Sequence, residues 1–99
     1  MPAPSGQYGT IASMPRISEF YGIVIEMYYA DHPPPHFHVR YGGESAKVAI
    51  ATGEIIAGSV PGRALRLVRE WLSEHRVELE ANWERAMRNE KPEKIEPLR

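Results

Sequence analysis

Apolar and polar residues alternate along the chain from residue 19 to about residue 57, then recur at three- and four-residue steps from residue 61 onward. Residues 19–29 (EFYGIVIEMYY) are rich in aromatic and β-branched side chains and predict a strand. Tyr21, Ile23, Ile25, Met27 and Tyr29 fall on one face, and Gly22, Val24, Glu26 and Tyr28 on the other, because successive side chains of a strand point to opposite sides. Residues 36–41 (HFHVRY) and 44–51 (ESAKVAIA) predict two more strands, and 54–57 a short fourth. Gly42-Gly43 is a two-residue hairpin signal. It pairs Tyr41 with Glu44, Val39 with Ala46 and Phe37 with Val48, which puts both apolar faces on one side of the sheet. Thr52-Gly53 would likewise pair Ile50 with Ile55. For the first hairpin, parity favours Glu26 opposite Arg40, Met27 opposite Val39 and Tyr28 opposite His38; a slip by two residues keeps the same faces.

From Pro61 to about Asn89 the residues Leu65, Val68, Leu72, His75, Leu79, Trp83 and Ala86 recur with helical spacing, and Trp71 widens the stripe. His75, Trp71 and Trp83 lie on that stripe and read as core residues. Ser59 is the expected N-cap, with Pro61 in the first turn. A single straight helix of this length would run about 42 Å at about 1.5 Å per residue, long for so small a domain. A break is therefore expected near His75-Arg76. The fold these elements predict is α+β: an antiparallel meander of three to four strands, packed on its apolar face by one or two C-terminal helices. Residues 1–14, small, polar and rich in Pro and Gly, read as a disordered extension. Residues 15–90 form the single domain, and 91–99, with two prolines and alternating charges, read as a second tail.

Charge and composition narrow the function classes. Twelve Lys and Arg stand against thirteen Asp and Glu, which argues against a dedicated nucleic-acid binder but leaves room for a local basic patch. There is no cysteine, so neither disulfides nor thiolate metal sites can form, and a cytoplasmic location is expected. No apolar run approaches the roughly 20 residues of a membrane span.

Candidate chemistry concentrates in Asp31-His32-Pro33-Pro34-Pro35-His36-Phe37-His38, where three of the four histidines fall together. His36 and His38 are two apart on a strand, so both leave the same face and could chelate zinc or a similar divalent ion. His32 could reach across the proline loop as a third ligand, and Asp31 or Glu26 could complete or orient the set. Alternatively the histidines are solvated, or bonded to Tyr28, Glu26 and the backbone, and the prolines shape the loop. The same face carries Tyr28, Arg40, Lys47 and Glu26, a mixture that could stack bases and hold the phosphates of RNA or DNA. His38, or His36, could also serve as a general base in RNA or nucleotide hydrolysis. A sheet edge with exposed tyrosines suits a pure interaction module. Sequence alone leaves these open, and whether the protein is an enzyme with them.

Pro15-Arg16-Ile17-Ser18, Phe20-Tyr21-Gly22-Ile23, Met27-Tyr28-Tyr29, Asp31-His32, Pro34-Pro35-His36-Phe37-His38, Tyr41-Gly42, Thr52-Gly53-Glu54, Arg63-Ala64-Leu65 and Asn82-Trp83 resemble a small bacterial family, the domain of unknown function DUF4160. The resemblance runs roughly from Met14 to Leu98. It implies a two-gene arrangement of toxin–antitoxin type, with a small protein from the neighbouring gene as partner. On that footing the chain is expected to be one component of such a pair, with the His32/His36/His38 face as the working surface for nucleic acid or partner, and a divalent-metal protein or a metal- or His-dependent hydrolase as the alternative.

Overall fold

The computed structural model describes residues 15–99; the extension expected over 1–14 lies outside them. Five strands form one antiparallel meander in chain order: β1 (Arg16–Phe20), β2 (Ile23–Glu26), β3 (His36–Tyr41), β4 (Glu44–Ala49) and β5 (Ile55–Gly58). One long C-terminal helix, α1 (Gly62–Met87), completes the α+β fold. The strand count is five rather than three to four because residues 19–29 are not one strand. The chain reverses at Tyr21-Gly22, where both residues have positive φ (51° and 80°), and Phe20 pairs with Ile23. A two-residue turn of this hand suits the right-handed twist of strands. Its first position is filled here by an exposed tyrosine rather than by the usual asparagine or glycine.

The Gly42-Gly43 hairpin has the expected register, with Phe37 opposite Val48, Val39 opposite Ala46 and Tyr41 opposite Glu44. The β2–β3 register is slipped by two residues from the first expectation: Glu26 faces His38, Val24 faces Arg40 and Ile25 faces Val39. Ile55 pairs with Val48, not Ile50. Ile50 lies in the turn, where its amide donates to Pro35 O (3.0 Å) and its carbonyl accepts from Arg76 Nε (2.9 Å), so its backbone is committed elsewhere.

Helix α1 covers the apolar face. Trp71 is fully buried between Phe20 and Phe37, ring centroids 5.4 and 5.8 Å away. Burying such a side chain contributes roughly 1.5–3 kcal/mol. The N-cap is Pro61, without a side-chain cap; Ser59 instead donates its amide to Ser45 O. The helix bends at His75, whose φ of −129° and ψ of 22° leave the helical range, at the position where the length of the stripe calls for a break. Asn89, with φ of 61°, ends it, and Glu90 N closes the last turn on Arg85 O.

Residues 91–99 contain no helix or strand, yet they do not behave as a tail. Ile95 and Leu98 are buried, and Ile95 N donates to Ile17 O on the outer edge of β1. Asn82, fully buried on α1, donates to Glu93 O and accepts from Glu93 N, both at 2.8 Å. Trp71 Nε1 donates to Glu96 O. Two buried polar side chains of the helix thus find their partners in this segment's backbone. No helix among the described residues is long and apolar enough to cross a membrane.

Candidate metal centre

The sheet face opposite Phe37 and Val39 carries Glu26, His36, His38, Arg40 and Lys47, as strand parity requires. The loop from Met27 to Pro35 folds over one end of this face. Its anchor is Ala30, whose amide donates to Ala86 O near the end of α1 (3.1 Å). Asp31 follows directly. Its Oδ1 accepts from the amide of His32 (2.8 Å), and its Oδ2 lies 3.0 Å from His36 Nε2 and 3.1 Å from His38 Nε2. The side chains of His36, His38 and Asp31 are only 4, 10 and 15% exposed. One ligand atom from each lies within 4.8 Å of the others, so this buried group could hold a metal ion.

Hydrogen-bond accounting adds a constraint. His36 Nδ1 lies 2.7 Å from Pro34 O. A carbonyl oxygen only accepts, so Nδ1 carries the hydrogen and donates. In the neutral ring Nε2 then holds a lone pair, aimed at a carboxylate oxygen 3.0 Å away. Two acceptors face each other, and only a proton or a cation between them closes the contact.

The surroundings set the protonation states. Burial alone would raise the Asp31 carboxyl, but the hydrogen bonds from His38 and the His32 amide, with the nearby imidazoles, outweigh it and hold the group below its ordinary value. Burial pushes His38 below the ordinary imidazole value, and the positive ends of His36 and Lys47 push the same way against Asp31. An anionic carboxylate and a neutral imidazole are the forms that bind metals.

Aromatic rings fix the two histidines. Tyr28 lies flat on His38, centroids 3.8 Å apart and 7° from parallel. Its phenol is pushed up, by burial first and then by the charge of Glu26. Trp83 of α1 meets His36 at 5.3 Å. Beyond His38, Arg40 donates twice to Glu26, Nε to Oε1 (3.1 Å) and Nη2 to Oε2 (3.0 Å). Lys47 faces His38 from β4 and makes no ion pair among the described residues. A groove of about 290 Å³, lined by Tyr28, Asp31, His38, Lys47 and the small residues Ser45, Ala57 and Gly58, opens beside the cluster.

A family model described as Domain of unknown function (DUF4160) matches residues 22–84, well over half of the chain. The chain belongs to the DUF4160 family. The matched stretch contains Asp31, His36, His38, Tyr28, Lys47 and Trp83, whereas β1 and the docked C-terminal segment fall outside it. No curated protein and no solved structure matches.

The DUF4160 fold assembles most, not all, of the expected site. His36 and His38 sit together as the strand spacing requires. His32 does not join them: its side chain is exposed, and it contributes only its backbone amide to Asp31. The third donor is Asp31, because the chain turns back at the prolines and brings the carboxylate under both imidazoles. Tyr28, Glu26, Arg40 and Lys47 share the face as expected, with Arg40 already held by Glu26. Two participants were not expected. Trp83 reads as one more apolar position of the helix, and the Pro34 carbonyl leaves no sequence signal at all.

Proposed function

We propose that this DUF4160 protein binds a divalent metal ion, zinc foremost, through Asp31 Oδ2, His36 Nε2 and His38 Nε2. The observation that carries the reading is the His36 tautomer. A backbone carbonyl on Nδ1 is how proteins aim the other ring nitrogen at a metal. Around a tetrahedral zinc with bonds of about 2.0–2.1 Å, neighbouring donors stand about 3.3–3.4 Å apart. The separations of 3.0 and 3.1 Å between Asp31 and the two imidazoles need only a few tenths of an ångström of expansion. Three protein donors leave a coordination position for water or a ligand, as catalytic rather than structural zinc sites do. That position would open toward the groove. The same contacts can be closed without metal by an imidazolium at His36, which would make the cluster a clamp on the loop. Calorimetric titration of chelator-treated protein with zinc decides between them. One equivalent bound by wild type, and none by the His36→Ala/His38→Ala double variant, supports the metal centre; equal behaviour of the two overturns it.

A second reading, a module that docks a protein from a neighbouring gene in a toxin–antitoxin-like pair, is favoured by the outer edge of β5. That strand ends the sheet, and Ile56 on it is 44% exposed. A partner strand could extend the sheet there. Co-purification with the neighbouring gene product tests this reading, and metal analysis of the same sample bears on the first.

A further inference from the structure

Lys47 is the cross-strand neighbour of His38, and in an antiparallel pair directly opposed residues carry their Cβ atoms about 4.5–5.5 Å apart. Lys47 lines the groove that the metal centre borders, and no carboxylate among the described residues lies within ion-pair distance of its ammonium. The other cation of this face, Arg40, is taken by Glu26 in a two-point contact. The groove therefore has one unpaired positive charge, on the β4 side. Asp31, His38 and Tyr28 line the same groove, and β5 contributes only the small residues Ala57 and Gly58. At about 290 Å³ it lies near the lower end of small-molecule sites, roughly 300–1,000 Å³.

We infer that the groove takes a small oxyanion, a phosphate ester or a carboxylate, with one oxygen on the metal and another on the Lys47 ammonium. This rests on the metal reading above. A neutral ligand would leave the lysine charge uncompensated. An anion satisfies both cations at once, and a charge-assisted contact at Lys47 adds to the bond at the metal.

The test uses the full chain loaded with cobalt(II), whose visible absorption reports changes in its ligands. Inorganic phosphate and acetate are the probes, and imidazole is the neutral control. Phosphate or acetate should shift the wild-type spectrum saturably. Lys47→Gln should weaken that binding by at least about tenfold and Lys47→Arg by much less, while imidazole binds all three proteins alike. The tighter of the two anions tells phosphate ester from carboxylate. Equal anion affinity in wild type and Lys47→Gln overturns the inference while leaving the metal centre standing, as does a parallel loss of imidazole binding. If wild type gives no cobalt spectrum, the metal reading itself fails, and the anion site with it.

Discussion

Tyr28 and His38 lie face to face, 3.8 Å between centroids and 7° from parallel, although β2 ends before Tyr28 and the backbone ladder does not pair them. The stack covers one side of the imidazole and fixes the direction of Nε2 toward Asp31. Tyr28→Ala removes this support and should weaken zinc affinity by about tenfold, the lower end of the effect of groups that orient metal ligands. Tyr28→Phe keeps the ring and should stay close to wild type. Competition against a chromophoric chelator measures both.

Zinc at a hundredfold excess over its Kd should stabilise the protein by about 2.7 kcal/mol, since it binds the folded state alone. For a domain of this size that is about 10–20 °C in Tm. Thermal melts with and without zinc measure it, and the shift should vanish in the His36→Ala/His38→Ala double variant. It should also shrink on acidification, because protons compete for the same atoms.

The metal-free protein should lose stability below about pH 6.5, the unfolded value for His38. The folded state holds His38 lower, so in that window the unfolded chain binds the extra proton and stability falls with pH. The fall should level off once pH drops below the folded value. Asp31 is also held low in the folded state, and its contribution should be lost only below about pH 3.8. The titratable and charged groups facing His38 are Asp31, His36, Lys47 and the cross-strand Glu26, itself held by Arg40, with the Tyr28 phenol against its ring. Urea denaturation across pH, in wild type and in His36→Asn, which removes the second imidazole, reads the window; a flat profile between pH 7 and 5 in both would contradict the burial of His38.

Asn82→Ala should cost about 2 kcal/mol and lower Tm by about 10 °C, by leaving the amide and carbonyl of Glu93 unpaired. Deleting residues 91–99 should cost more, because Ile95 and Leu98 also lose their burial. Calorimetric melting of both variants checks the order.

Strand faces were legible in the sequence because a period of two survives any even slip: His36 and His38 had to share a side whether Glu26 met Arg40 or His38. That same insensitivity hid the true β2–β3 register. The turn at Tyr21-Gly22 was concealed by a tyrosine that belongs, by propensity, in a strand. The bend at His75 was legible from length alone. The docked segment was not, since its partners on Asn82 and Trp71 are main-chain atoms of Glu93 and Glu96, which any residue would supply. Asp31 could be named as a candidate, but its bridging position depends on where Ala30 is tied.

That tie has a mechanical consequence. Asp31 is carried by a loop pinned to the last turn of α1, whereas His36 and His38 are carried by the sheet. An ion shared among them would act as a rivet between the loop at the helix end and the sheet. Amides near Ala86 and in the loop would then exchange with solvent as late as those of β3, and fraying of the helix end would become inseparable from release of the ion.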